Sequence, residues 1–100
     1  MTKKEILKYS TIGVNKNQIS CDLSGESVIL HLEGGVYYGL NETGTVVWNL
    51  IQKPKSVNEI LDTLLGQFDI EPKQCENDLL KLLNELEEHK LIDVQHETVI

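Results

Sequence analysis

The chain has 100 residues, of which 40% are hydrophobic and 25% are charged, proportions typical of one ordinary globular domain. Its net charge of -7 and its nine lysines without any arginine argue against a nucleic-acid partner, because phosphate recognition needs clustered basic side chains. No apolar run is long enough for a membrane span or a signal peptide, so we expect a cytoplasmic protein that does not contact a membrane.

The N-terminal region has little regular pattern before a first strand. Residues 1–16 show no clear periodicity, and we expect a flexible N-terminal arm there. The run NQISCDL, residues 17–23, alternates Ile19, Cys21 and Leu23 with polar residues. This alternation predicts a half-buried strand with the three apolar side chains on its inner face.

Two further strands follow and complete a meander. SVILHLE, residues 27–33, predicts a second strand with Val28 and Leu30 on its apolar face and His31 on the polar one. The glycine pair that comes next marks a hairpin and leads into a third strand, VYYGL, residues 36–40. The pattern predicts a three-stranded antiparallel sheet.

The rest of the chain is predicted to be helical. Asn41 is a good N-cap for a first helix, ETGTVVWNLIQ. Ser56 and Glu59 form a capping box at the start of the second helix. Pro72 opens a third helix that runs to about Lys90.

The order of these elements predicts an α+β fold in which the three helices pack on one face of the sheet. The run LIDV, residues 91–94, is typical of a short last strand or an extended tail. We therefore expect one domain over residues 17–94, followed by a C-terminal tail over residues 95–100.

No residue pattern indicates catalysis. Cys21 and Cys75 lie far apart without metal-ligand spacing, and both are expected to be small core residues. The histidines have no carboxylate or cysteine partner at the spacing of a metal site. A catalytic Cys–His pair that is adjacent only in space stays open at this stage. We expect a protein that is not an enzyme and that has neither a metal site nor a cofactor.

The third predicted strand is a candidate binding edge. It is short and aromatic, and it lacks the Lys or Pro that usually protects a sheet edge. An unprotected edge can capture an extended peptide through main-chain hydrogen bonds. The candidate peptide-binding residues on the strand are Val36, Tyr37, Tyr38 and Gly39.

A helical wheel of the third helix suggests the other wall of such a groove. At about 100° per residue the wheel places Cys75, Leu79, Leu82 and Leu86 in one core stripe. Five residues drift off one side of the stripe and are the candidate peptide-binding residues of the helix: Glu76, Leu80, Leu83, Asn84 and Glu87. Their acidic character favours a peptide with Lys or Arg. The alternative for Leu80 is packing on Ile6 or Leu7 of the arm.

The run YYGLNETGTVVWNLI resembles the YxLNxTGxxIWxLL core of the PqqD-like family. Residues 56–94 are similar to the family's TVxEIxxxLxxxYDxxxxxxxxDVxxFLxxLxxxGLI pattern, and the likeness covers residues 26–94. The resemblance implies a winged-helix-like domain that acts as a RiPP recognition element. Such a domain binds the leader segment of a ribosomally made precursor peptide, which adds to the third strand and lies against the third helix.

Departures from the family pattern bear on the pathway. IQKPKS stands where the pyrroloquinoline quinone branch usually carries CDG, and His89-Lys90 replaces the usual residue-Gly before the closing Leu-Ile. With the short chain, they favour the discrete leader-binding protein of lasso peptide biosynthesis, working beside a leader peptidase and a macrocyclase. The alternatives are a peptide chaperone for a radical SAM enzyme and a winged-helix DNA-binding protein, which the acidic third helix disfavours.

Overall fold

Two antiparallel sheets and three helices make up the fold, in a computed structural model that describes residues 6–23, 26–35 and 37–95. The strands are β1 (Thr11–Val14), β2 (Gln18–Leu23), β3 (Glu26–His31), β4 (Tyr37–Leu40), β5 (Lys55–Ser56) and β6 (Ile92–Gln95). The helices are α1 (Glu42–Leu50), α2 (Val57–Gln67) and α3 (Pro72–Glu88).

The predicted meander is confirmed as the sheet β2-β3-β4, which is followed in the chain by the three helices. The register places Ile29 opposite Tyr38 and Leu30 opposite Tyr37. Because side chains alternate along a strand, Tyr38 shares the Ile29 face of the sheet and Tyr37 lies on the other face.

The predicted inner faces of β2 and β3 are wrong. Ile29 is fully buried and His31 is 9% exposed, whereas Ile19 is 58% exposed and Cys21 also lies at the surface. β3 carries apolar residues on both faces, and the apolar face of β2 is the exposed one, so alternation alone does not select the inner face. The buried Leu40 of β4, which leads into α1, sets the inner face of the whole sheet.

The hairpin between β3 and β4 is confirmed as a glycine turn. Gly35 has a φ of 64°, in the left-handed region that favours glycine, and its N–H donates to the His31 carbonyl at 2.8 Å. The Gly34 N–H donates to Nδ1 of the His31 ring at 3.2 Å. The imidazole therefore belongs to the turn rather than to a polar outer face.

A second sheet, ordered β5-β1-β6, was not predicted apart from its last strand. The expected flexible arm is wrong for residues 11–14, which form β1 and pair with β5 and β6. Ile12 of β1 is fully buried, and Ile6 is only 4% exposed. The sequence pattern misses β1 because the strand has only four residues and its partners lie far along the chain. The domain therefore begins before residue 17.

The predicted helix starts are confirmed. The Asn41 side chain accepts a hydrogen bond from the Gly44 N–H at 2.9 Å, and Ser56 and Glu59 form the capping box of α2. Pro72 is the first residue of α3, which ends at Glu88, two residues before the predicted end. These local signals specify where each helix begins.

The core stripe of α3 differs from the wheel by one leucine. Leu83 is fully buried, whereas Leu82, expected in the core, is half-buried. Cys75, Leu79 and Leu86 are buried as predicted. The helix is therefore rotated so that Leu83 faces the core and Leu82 faces the side.

We predict that Leu83→Ala lowers the free energy of unfolding by about 2–4 kcal/mol, because it leaves a cavity in the core. The half-buried Leu80, in the same helix, provides the matched control, and Leu80→Ala should cost clearly less. Urea unfolding followed by circular dichroism measures both values. Equal losses for the two variants would contradict the placement of Leu83.

Candidate functional site

Strand β4 has a free edge in the described part of the chain. It pairs with β3 on one side, and no described strand pairs with its other side. No heavy atom lies within 4 Å of the position that a Cβ on Gly39 would occupy. Tyr37, on the outer face, is 70% exposed. This edge therefore presents accessible main-chain N–H and C=O groups.

Tyr38 connects β4 to helix α3. Its hydroxyl donates a hydrogen bond to the Glu85 carboxylate at 2.5 Å, and its ring lies 5.1 Å from the His89 ring, centroid to centroid. Partial burial, then the hydrogen bond and charge of Glu85, raise the pKa of Tyr38 to about 12. The phenol is therefore neutral at physiological pH and keeps donating to Glu85.

An apolar cavity of about 260 Å³ opens beside the start of α1. Its lining combines the β4–α1 junction and α1, the region after α2, and α3: Asn41, Thr43, Gly44, Val47, Leu64, Ile70, Cys75, Asp78, Leu79 and Leu82. Half of these residues are aliphatic, and the polar side chains are those of Asn41, Thr43 and Asp78. The cavity suits an apolar side chain more than a charged group.

One flank of α3 faces both β4 and this cavity. Asp78 and Leu82 line the cavity, while Glu85 and His89 contact Tyr38. These four residues recur at i, i+4, i+7 and i+11, the spacing of one helix face. We call the space between this flank and the free edge of β4 the β4–α3 groove.

The structure brings only part of the predicted site together. Tyr37, Tyr38 and Gly39 lie on β4, while Val36 falls outside the described residues. Of these, Tyr38 faces α3 and Tyr37 points to the outer face of the sheet. Their role in peptide binding stays a prediction.

The predicted helix residues do not line the β4–α3 groove. Glu76 forms an ion pair of 3.3 Å with Lys8 of the N-terminal segment. Glu85, nine residues later, contacts Tyr38, and at about 100° per residue the two glutamates lie on opposite sides of the helix. By their spacing Leu80 and Glu87 lie within about 40° of Glu76, whereas Asn84 lies about midway between Glu76 and Glu85. The side chain of the fifth predicted residue, Leu83, is fully buried in the structure. The role of these five residues in peptide binding stays a prediction.

The wheel missed the flank that faces β4. It identified two sides of the core stripe but contained no information about which side the sheet approaches. The spacing of Asp78, Leu82, Glu85 and His89 was readable as a second helix face. The position of Glu76 beside the N-terminal segment agrees with the alternative in which Leu80 packs toward that segment.

The described residues contain no group of three His, Cys, Asp or Glu side chains that could hold a metal ion. Burial, with a smaller effect of the Asp78 charge, raises the pKa of the Cys75 thiol, so the thiolate is disfavoured. Cys21 lies exposed on the sheet, contrary to the expected core position. No described helix has the length and apolar character needed to cross a membrane.

Comparison with known proteins identifies a matching family and solved structures with a similar fold. A family model for coenzyme PQQ synthesis protein D (PqqD) matches residues 26–92. The structure of TbiB1 in complex with the TbiA(beta) leader peptide is similar, with a TM-score of 0.76, 28% identity, and coverage of 81% of this chain and 94% of that chain.

A second solved structure, lasso peptide synthetase B1 complexed with the leader peptide, has a TM-score of 0.73 and covers 82% of this chain and 96% of that chain. At 18% identity, this likeness concerns the fold alone. No curated protein sequence matches the chain.

We predict a specific alkaline destabilisation that depends on Tyr38. The folded protein holds the Tyr38 proton up to about pH 12, whereas an unfolded tyrosine loses it near pH 10. Folding is thus favoured by proton retention below about pH 10, and this contribution disappears as the pH rises to about 12.

Tyr38→Phe should remove this part of the pH dependence of the unfolding free energy. Tyr37→Phe, at an exposed position, should retain it. Urea unfolding at about pH 9 and about pH 11 measures the difference. Identical pH profiles for the two variants would show that the Tyr38–Glu85 contact does not stabilise the fold.

Proposed function

The chain belongs to the PqqD family, and from this we propose that it binds the leader segment of a ribosomally synthesised precursor peptide. In this proposal the leader adds as a strand to the free edge of β4 and lies in the β4–α3 groove. The single observation that carries the proposal is that β4 has no partner among the described strands on its outer edge, while Tyr38 brings the strand against the α3 flank that also lines an apolar cavity.

Strand addition explains how a small acidic domain can hold an extended peptide. Each main-chain hydrogen bond to β4 contributes about 0.5–1.5 kcal/mol net. These bonds are independent of sequence, so specificity has to come from side chains that alternate toward α3. Tyr38, held by Glu85, fixes the distance between the edge and the helix.

The apolar cavity supports recognition of one leader side chain. Its volume of about 260 Å³ is smaller than the 300–1,000 Å³ typical of pockets for drug-sized ligands, so it suits a side chain better than a cofactor. Full burial of a Leu, Ile, Val, Phe or Met side chain there contributes about 1.5–3 kcal/mol. An apolar leader residue is therefore the proposed anchor.

We propose a presenting role without catalysis. The buried Cys75 has a raised pKa and so lacks the thiolate of a nucleophile. The bound leader would be delivered to a separate enzyme that processes the precursor. A leader peptidase is the proposed partner, with a macrocyclase acting in the same pathway.

Lasso peptide biosynthesis is the proposed pathway. TbiB1, 28% identical over most of both chains, was solved with a leader peptide, and this supports the assignment. The alternative is a chaperone role for a radical SAM enzyme, which the PQQ synthesis family description favours. Reconstitution of precursor cleavage with the neighbouring peptidase distinguishes the two pathways.

We predict that Gly39→Pro weakens binding of the leader peptide by about tenfold or more, because proline removes a main-chain donor from β4. Gly39→Ala is the matched control: its added Cβ meets no heavy atom within 4 Å, and affinity should change by about twofold at most. Isothermal titration calorimetry measures both. A folded proline variant with wild-type affinity would refute strand addition at β4.

We also predict that Leu82→Gln weakens leader binding by about tenfold or more, because a polar amide replaces the wall of the apolar cavity. Leu80→Gln makes the same change on the opposite flank of α3 and should alter affinity by about twofold at most. Thermal unfolding of both variants controls for stability. A larger loss of affinity in Leu80→Gln would place the binding site on the Glu76 side of α3, which the helical wheel predicted.

A further inference from the structure

The outer face of the β2-β3-β4 sheet carries apolar side chains on neighbouring strands. The register places Ile19 opposite Leu30 and Leu30 opposite Tyr37, so these three residues form one row across the sheet. Cys21 and Val28 pair in the next row. Ile19 and Tyr37, at the two ends of the first row, are both exposed. We call the surface that these five residues form the outer apolar face.

Strand β2 is amphipathic in the reverse of the usual sense. Its apolar residues Ile19 and Cys21 lie at the surface, whereas Ser20 is paired with the buried Ile29 and shares its side of the sheet. Single exposed apolar residues are ordinary, but a contiguous apolar patch on a small domain indicates an interaction surface.

Leu32 extends the outer apolar face toward the β3–β4 turn. Its N–H donates to the Asn17 carbonyl at 2.9 Å, which continues the pairing of β2 with β3 by one residue. Two positions after Leu30, Leu32 lies on the same side of the sheet, and it is exposed. Of the four large hydrophobic residues that are exposed in the described part of the chain, only Tyr9 lies outside this surface.

The size of the outer apolar face argues against a second copy of the chain as its occupant. Three strands about 4.8 Å apart and up to about six residues long present a surface of about 300 Å². Each partner in a stable complex buries about 800 Å². The net charge of -7 also opposes contact between two copies. The face is therefore too small to hold a partner by itself.

A bound leader would supply additional area beside this face. Tyr37, at one end of the apolar row, belongs to β4, whose outer edge is the proposed leader-binding edge. A leader added there becomes the fourth strand of the sheet, and every second leader side chain points to the same side as Tyr37. A protein that covers the outer apolar face therefore contacts the bound leader directly.

We propose that the outer apolar face docks the leader peptidase through an apolar, uncharged surface of that enzyme, which contacts the face and the leader strand together. This inference rests on the proposed function and adds to it the surface on which the partner binds. The leader is then recognised from the α3 side and presented on the opposite side of the sheet. Because the face alone is small, the peptidase binds the leader-loaded protein more tightly than the free protein.

The test measures precursor cleavage and leader binding for Ile19→Gln/Leu32→Gln. Both residues are exposed, and Ile19 is separated from β4 by β3, so the variant should fold, as thermal unfolding can verify. Its affinity for the leader peptide in calorimetry should stay within about twofold of wild type. Half-maximal cleavage by the leader peptidase should require an about fivefold or more higher concentration of the protein–precursor complex, because apolar contact with the enzyme is lost.

Tyr9→Gln is the matched control, since it removes an exposed hydrophobic residue from a different surface. The carbonyls of Lys8 and Ser10, on either side of Tyr9, accept from the first two N–H groups of α2 and place this residue beside that helix. The control should match wild type in both cleavage and leader binding.

Cys21 reports whether the outer apolar face is covered in the unmodified chain. Its thiol is exposed, whereas that of Cys75 is buried, so N-ethylmaleimide should label Cys21 first. The peptidase added together with the leader peptide should slow labelling of Cys21 by about fivefold or more. The leader peptide alone should leave the rate unchanged, because β3 separates Cys21 from β4.

Wild-type cleavage by Ile19→Gln/Leu32→Gln, or unchanged Cys21 labelling in the presence of peptidase and leader, would overturn this inference and leave the proposed function standing. Slow labelling of Cys21 in the free protein would place a segment of the chain itself on the face. A dimer in sedimentation equilibrium that the double variant dissociates would place a second copy there, and either result overturns the inference. Failure of the folded wild-type protein to bind the leader would overturn both proposals.

Discussion

The direct connection of β4 to α1 is the constraint on which the rest of the structure depends. A single residue, Asn41, separates the strand from the helix, and its side chain caps the helix by accepting from the Gly44 N–H. A Cβ at Gly44 would lie only 3.2 Å from the Leu40 Cβ, so glycine permits the close packing of this junction. With no loop to absorb a rotation, burial of Leu40 determines the orientation of every residue of β4.

The groove follows from that orientation. Because Leu40 points into the core, Tyr38 points the same way and reaches Glu85 and His89 of α3, while Tyr37 is directed to the outer surface. Since β4 is the last strand of the meander β2-β3-β4, its outer edge has no partner among the described strands. An unpaired edge ordinarily invites self-association. The strong negative charge of the chain opposes contact between two copies and still permits a neutral or basic peptide to approach.

The two ends of the groove differ in chemistry for structural reasons. Near the α1 start, residues from all three helical regions converge and give the cavity a largely apolar lining. Near the end of α3, a glycine turn and the C-terminal end of the helix meet, and such segments carry polar and charged side chains. The two ends of the groove therefore differ because different kinds of segment terminate there.

Local sequence signals were sufficient to predict where most helices and strands lie. The Asn41 cap, the Ser56–Glu59 capping box and Pro72 all predicted helix starts correctly, because each acts within four residues of its own position. The alternation of β2 and β3 located the strands but not their inner faces, since β3 has apolar residues on both sides and the apolar side of β2 is the exposed one. The four-residue strand β1 escaped detection because only its distant partners β5 and β6 make it a strand.

The sequence by itself determined the helices and the meander, and it showed that β4 lacks the Lys or Pro residues that usually protect a sheet edge. It also carried the family resemblance that suggested peptide binding. Only the tertiary structure decided which flank of α3 faces that edge. Helical periodicity specifies the angle between Glu76 and Glu85, but their surroundings depend on contacts with Lys8 and Tyr38, residues far away in the chain. A periodic pattern describes one element relative to itself, whereas a groove is a relation between two elements.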